Sequence, residues 1–126
     1  MNTTLDQLFI LCSTTAAENG FVATMRTNPD HPIYRAHFPG NPITPGACML
    51  QTARAMFQQW SGRHAYLKSA KNIKYLSLLI PDKDREVQFR FSILAESETE
   101  CKTQVVIADE NTIYTKMTLV FSYERI

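Results

Sequence analysis

The sequence predicts an α+β domain in which an antiparallel sheet packs against one long central helix. Three observations carry that reading. Two strand-like runs open the chain, a wide apolar helical stripe follows a loop rich in proline and glycine, and four strand candidates separated by polar turns complete it.

The first runs are Leu8–Ala16 and Gly20–Asn28, joined by a turn around Glu18-Asn19-Gly20. Residues Asn28–Asn41 read as a long loop that ends in His37-Phe38-Pro39-Gly40-Asn41-Pro42. Pro45-Gly46 then introduces a helix. Its apolar positions Met49, Leu50, Ala53, Met56, Phe57 and Trp60 recur at the spacing of one helical face, while Gln51, Arg54 and Gln58 share another. Gly62 is the expected stop. So wide a stripe predicts a mostly buried helix. The later strands are Leu67–Ile80, Glu86–Glu96, Cys101–Ala108 and Ile113–Tyr123, with turns at Pro81-Asp82-Lys83-Asp84, Ser97-Glu98-Thr99 and Asp109-Glu110-Asn111. Alternation is clearest in the third-last of these elements, where Val87, Phe89, Phe91 and Ile93 fall on one face.

With 126 residues, no internal repeat and no linker, the expectation is one domain over residues 1–126. No apolar run approaches the roughly 20 residues that span a bilayer. The opening stretch lacks a basic leader region, and Asp6 interrupts its apolar part, so cytoplasmic residence is expected. Cys12, Cys48 and Cys101 are odd in number and widely spaced, without the pattern of a zinc site, and read as structural thiols. The net charge of +1 points to no nucleic-acid partner, but its distribution is uneven. From His31 to Pro81 there is no Asp or Glu, and that segment carries +6 while the remainder carries −5. A basic middle attracts an acidic partner or a phosphate-bearing ligand; a solvated face is the plainer alternative.

Chemistry concentrates in His37-Phe38-Pro39-Gly40-Asn41-Pro42-Ile43-Thr44-Pro45-Gly46. This stretch resembles the β-hydroxyacyl-acyl carrier protein dehydratases, in which HFPG, a second proline and a PG pair lead into a buried helix. A weaker likeness continues through Asn72-Ile73-Lys74-Tyr75 and Ile80-Pro81-Asp82. The resemblance implies a hotdog fold, with the sheet wrapped around the helix, and a cis peptide near His37-Phe38. It also implies reversible loss of water from a 3-hydroxyacyl thioester carried on the phosphopantetheine of acyl carrier protein, in fatty-acid or polyene-type lipid synthesis. No metal or redox cofactor is implied. His37 takes the position of the catalytic base and Gly46 that of the carbonyl-binding amide, with Phe38, Pro39, Gly40, Ile43 and Ala47 lining the substrate. The expected assembly is a homodimer or higher oligomer, or a pairing with a different hotdog chain.

The residues support this logic on their own terms. A Pro/Gly-rich loop holds the His37 ring near the helix start, and imidazole accepts protons near neutral pH. Backbone N–H groups in the first helical turn lack intrahelical partners, and the helix dipole is positive there. A thioester carbonyl bound at that point is polarised, which stabilises an enolate-like transition state. Gly46 lets its oxygen come close.

The departure from the family is Gln51, which stands where the helix carboxylate is expected. A carboxamide orients a hydroxyl but delivers no proton, and residues 31–81 hold no carboxylate to replace it. Three arrangements are open. His37 both removes the α-proton and returns it to the leaving hydroxyl, with Gln51 positioning the substrate. Alternatively the acid comes from a second polypeptide, because sites of this family combine the histidine of one subunit with the helix of another. Or the chain binds acyl groups without dehydrating them. A hotdog thioesterase is the rival enzyme, although hydrolysis commonly uses a carboxylate base.

Other candidates have plainer readings. His31 and His64 are expected at the surface; Arg54, one turn beyond Gln51, either reaches the site mouth or a phosphate or lies on a solvated helix face, the plainer reading. Tyr34, Met49 and Phe57 fit either an acyl tunnel or the core. Arg63, Lys68, Lys71 and Lys74 form a possible docking set for an acidic carrier protein.

Overall fold

The computed structural model describes Gln7–Arg125; Asp6, weighed above against a leader segment, lies outside the described residues. The elements are β1 (Phe9–Ala17), β2 (Gly20–Thr27), a short 3₁₀ helix (Pro32–Arg35), α1 (Gly46–Ser61), β3 (Tyr66–Tyr75), β4 (Glu86–Glu96), β5 (Glu100–Ala108) and β6 (Ile113–Ser122). All six strands join one antiparallel sheet in the order β1-β2-β4-β5-β6-β3, so β1 and β3 are its edges. This is the α+β arrangement the sequence predicts. No helix among the described residues is long and apolar enough to cross a membrane.

Period-two alternation builds the inner face of the sheet. Cross-strand register lines up Phe21, Phe91, Val105 and Met117 in one row. The next row is Ala23, Phe89, Ile107 and Thr115. All eight are buried. α1 lies against these rows through Met49, Ala53 and Phe57. The Phe57 ring stacks on Phe121 with centroids 4.3 Å apart, and the Thr115 hydroxyl reaches the Met49 sulfur at 3.6 Å. Burying a side chain the size of Phe57 contributes on the order of 2–3 kcal/mol. Met49 and Phe57 are therefore core residues, as is Tyr34.

Proline and glycine set the limits of α1. Pro45 stands at the N-cap, and Gly62 closes the other end at φ +70°, its N–H donating to the Gln58 carbonyl at 3.1 Å. The expectation of a mostly buried helix needs correction. Only one stripe is buried, while Ala47, Gln51, Gln59 and Trp60 are exposed on the protomer. Arg54 is not on an idle solvated face either. Its guanidinium donates to Gln51 Oε1 and Gln58 Oε1, both at 3.3 Å, and to the Ala65 carbonyl at 3.2 Å, tying α1 to the start of β3.

The third predicted strand is also shorter than expected, ending at Tyr75 rather than Ile80. Its ladder with β6 stops at Tyr75–Thr115, after which the N–H groups of Leu76 and Ser77 both converge on the Tyr114 carbonyl. One acceptor taking two successive donors turns the chain off the sheet. Leu79 then points into the core, and its carbonyl accepts from Thr44 N–H at 2.9 Å.

Tyr114 anchors this turn at both ends. Its hydroxyl donates to Asp109 Oδ2 at 2.5 Å and accepts from Arg85 at 2.9 Å. The hydrogen bond from Tyr114 holds the Asp109 carboxyl below its usual range, aided by the Asn111 and Thr112 amides and by the Arg85 charge. Because folding lowers this pKa, the ionised form contributes stability that is complete above the unfolded value and is lost as pH falls through the folded one. Asp109→Asn is therefore expected to flatten the acid limb of stability below about pH 4. Denaturation midpoints measured across that range check this, and an acid limb identical to wild type contradicts it.

Candidate active site

The loop carrying His37 is fixed by its own backbone. Phe38-Pro39-Gly40-Asn41 forms a turn in which Asn41 N–H donates to the Phe38 carbonyl at 2.9 Å and Gly40 has φ +77°. Proline followed by glycine suits this turn, because the third position needs a positive φ that a Cβ disfavours. A Cβ on Gly40 would meet nothing within 4 Å, so conformation and not space selects glycine. Around that turn Ile43 N–H donates to the His37 carbonyl at 3.0 Å. His37 N–H in turn donates to the Ile33 carbonyl at 3.1 Å, at the end of the 3₁₀ helix. The His37–Phe38 peptide is cis, as the family resemblance implies.

Two further bonds fasten this loop to the fold. Thr44 Oγ1 and the Tyr34 hydroxyl lie 2.8 Å apart in a buried pair, and Thr44 N–H takes the Leu79 carbonyl. Burial pushes the Tyr34 phenol up from its ordinary pKa, which keeps it protonated for that bond. His31, expected at the surface, is buried: its Nδ1 accepts from Ile33 N–H at 3.1 Å and caps the 3₁₀ helix. The cause is the Pro32 that follows, which starts a turn whose first free amide needs an acceptor. The 3₁₀ helix itself lies inside what the sequence marked only as loop.

α1 begins without a side-chain cap and without an acidic residue in its first turn. Cys48 and Met49 N–H both donate to the Pro45 carbonyl, at 3.1 and 3.3 Å. The N–H groups of Gly46 and Ala47 have no protein acceptor among the described residues. Gly46 also has a neighbour the sequence did not reveal. A Cβ at this position would collide with the hydroxyl and ring of Tyr75, from the last position of β3. Glycine at this position lets the exposed Tyr75 phenol lie directly against the first turn of α1, and any larger residue would displace it.

The other predicted residues distribute as follows. The His37 imidazole is exposed, meets the Phe38 ring edge-on at 5.8 Å, and has no hydrogen-bond partner among the described residues. Gln51 is exposed one turn into α1, its carbonyl oxygen accepting from Arg54. No hydrogen bond joins His37 and Gln51 within the protomer. Phe38, Pro39 and Gly40 form one wall of an open groove of about 420 Å³, with His31, Tyr34 and Arg35 opposite. Ile43 and Gly46 are half-buried and Ala47 is exposed, between that loop and α1. Of the basic set, Arg63 lies exposed over the Tyr123 ring at 3.7 Å and Lys68 pairs with Glu100, while Lys71, Lys74 and Arg35 are exposed without a carboxylate partner among the described residues.

The model of the ApeI-like family, described as ApeI dehydratase, matches residues 13–117, which include the whole His37 loop, α1 and Tyr75. The chain belongs to the ApeI-like dehydratase family. Among curated proteins it is similar to the 3-hydroxyacyl-[acyl-carrier-protein] dehydratase FabZ of Syntrophomonas wolfei subsp. wolfei, 24% identical over 88 residues. The match takes in 64% of this chain and 61% of that relative's length. Among solved structures, the dehydratase heterocomplex ApeI:P from Xenorhabdus doucetiae superposes with a TM-score of 0.72 at 14% identity, over 90% of this chain and 97% of that one. A thioesterase from Haemophilus influenzae gives 0.65 at 16% identity, over 96% and 82%. These two likenesses show the hotdog fold, and the ApeI-like family membership rests on the sequence match.

For this ApeI-like chain, the site offers a histidine on a fixed loop and unpartnered amides at the start of a helix. The contact of Tyr75 with the helix start is not readable from the sequence; its only signal is the place of Tyr75 at the end of the weaker matching segment, just before an apolar run. Its contact with Gly46 has a direct consequence. Gly46→Ala is expected to displace the exposed Tyr75 phenol from the first turn and to cost about 1 kcal/mol or less, and in a Tyr75→Ala chain that cost is expected to vanish. Denaturant unfolding of the four members of that cycle measures the coupling. Strictly additive effects contradict the contact.

Proposed function

We propose that this chain is a subunit of a dehydratase that removes water from a 3-hydroxyacyl thioester carried on acyl carrier protein, with His37 as base. The observation carrying the reading is the fixed His37 loop leading into the free Gly46 and Ala47 amides, in a chain of a dehydratase family. The amides hold the thioester oxygen while His37 removes the α-proton. The electrons of that C–H bond form the α–β double bond, and the bond from the β-carbon to oxygen breaks. The proton held by His37 passes to the departing hydroxyl, so one water leaves with no change of redox state. Gln51 orients the hydroxyl. The reaction is acid–base chemistry throughout and calls for no metal or redox group. Arg35, Arg63, Lys71 and Lys74 are exposed cations without a carboxylate partner among the described residues and can meet an acidic carrier protein. The cytoplasm is the compartment that fits such a carrier-dependent reaction.

A second reading makes activity depend on another hotdog chain. His37 and Gln51 both stand exposed on one protomer, β3 is an open sheet edge, and Tyr75, Leu76, Leu78 and Ile80 beside it are exposed. Such an edge favours pairing with a second chain. A homodimer satisfies it, and so does pairing with a different chain, an arrangement supported by the likeness to the ApeI:P dehydratase heterocomplex; in that case the second chain supplies the acid that residues 31–81 lack. A thioesterase is less well supported, because no carboxylate lies between residues 31 and 81 to activate water.

Incubation with 3-hydroxyacyl-acyl carrier protein, alone and with co-encoded hotdog proteins, separates these readings by the appearance of enoyl product. The expected result is activity that His37→Ala lowers by about 10²-fold or more and that Gln51→Ala leaves within about tenfold. Product only in mixtures supports the paired site. Turnover that survives His37→Ala overturns the assignment.

A further inference from the structure

We propose that Tyr75 is a further catalytic residue of this site, its hydroxyl donating a hydrogen bond to the thioester carbonyl oxygen beside the first-turn amides of α1. The inference rests on the dehydratase reading for the reaction it accelerates, but the contact it describes is with any bound acyl thioester.

The case starts from an imbalance of donors and acceptors. The Gly46 and Ala47 N–H groups have no acceptor among the described residues, and neither an acidic residue nor a capping side chain serves this turn. The Tyr75 hydroxyl lies in contact with Gly46 and also finds no partner there. Tyr34 pairs with Thr44, Tyr114 donates to Asp109, and Tyr123 donates to Glu96 at 2.9 Å, whereas the hydroxyls of Tyr66 and Tyr75 have no partner among the described residues; of these two, Tyr75 is the one placed at the helix start. The Gly46 and Ala47 amides and the hydroxyl of Tyr75, a residue 56% exposed, are thus three donors at one solvent-facing helix start, open to an incoming acceptor. The missing partner is an oxygen acceptor, and a carbonyl that gains negative charge in the transition state is the acceptor such a cluster favours most.

The backbone that carries the phenol is also held in place. Tyr75 forms the last β3–β6 pair, with Thr115, and Leu76 and Ser77 are clamped to the Tyr114 carbonyl immediately after it. Four residues on, Leu79 is bonded to Thr44, two residues before Gly46. Strand, loop and helix therefore fix the Tyr75 backbone relative to the first turn, and the ring reaches Gly46 from there. A preorganised donor needs no reorganisation as charge develops, which is why it acts on the transition state more than on the ground state. The exposed Leu76 and Leu78 next to it are suited to excluding water once a second chain covers β3.

Tyr75→Phe removes the hydroxyl and keeps the ring against Gly46. In whichever assembly yields enoyl product, this variant is expected to lower kcat by about 10²–10³-fold with KM nearly unchanged. A second readout does not depend on turnover. A saturated acyl-pantetheine thioester with a ¹³C-labelled carbonyl, bound to the protein, is expected to show a lower carbonyl stretching frequency in wild type and in His37→Ala than in Tyr75→Phe. If wild type turns over while Tyr75→Phe matches it in kcat and in carbonyl frequency, Tyr75 only packs and the dehydratase reading stands. If no assembly dehydrates but the frequency rises in Tyr75→Phe, the dehydratase reading falls and the carbonyl contact stands. Failure to bind the thioester at all overturns both.

Discussion

The structure turns on the hydrogen-bonded brace at Thr44. This residue joins the His37 loop to the core through the Tyr34 hydroxyl and to the segment after β3 through the Leu79 carbonyl. Two residues later α1 begins. Without the brace, the loop, the helix start and the end of β3 would be three independent pieces of surface. With it, the backbones of His37, of Gly46 and Ala47 with their free amides, and of Tyr75 belong to one corner. Its two bonds are worth having because both are shielded from water, where an unmade hydrogen bond is costly.

The rest of the fold supports that corner. The rows of the sheet from Phe21 to Met117 and from Ala23 to Thr115 give α1 a flat apolar bed, and Met49, Ala53 and Phe57 hold it there. The Asp109–Tyr114–Arg85 cluster sits behind the turn at Leu76 and fixes where the chain leaves the sheet. Polar groups far from the site thereby set the reach of the Tyr75 side chain. The absence of a carboxylate on α1 is the one conspicuous gap in this design, and the open β3 edge is where a second chain would be expected to fill it.

Much of this was legible in the sequence because it depends on local pattern. Alternation in Val87–Ile93, the helical stripe from Met49 to Trp60 and the punctuation at Gly62 each follow from short-range geometry. So does the Pro39-Gly40 turn, which only one backbone conformation satisfies. What escaped was decided by contacts between distant segments. Nothing in Leu76–Ile80 says that Tyr114 will accept two donors and divert the strand. Nothing around His31 says that its ring will be buried as a cap. The role of Gly46 in admitting Tyr75 joins positions 29 residues apart and becomes visible only when β3 and α1 are placed together. The exposure of α1 outside its buried stripe was missed for a different reason: a single sequence does not separate apolar positions that face the core from those that await a partner.

The central claim is that one thioester spans the His37 imidazole and the first turn of α1. A crystal structure of the catalytically competent assembly with an unreactive acyl-pantetheine thioester tests it most directly. The account predicts the carbonyl oxygen within hydrogen-bonding distance of the Gly46 or Ala47 N–H, and the α-carbon of the same ligand next to a His37 ring nitrogen. A thioester seated away from that helix start, or one held there with every His37 ring turned away from it, would contradict the account.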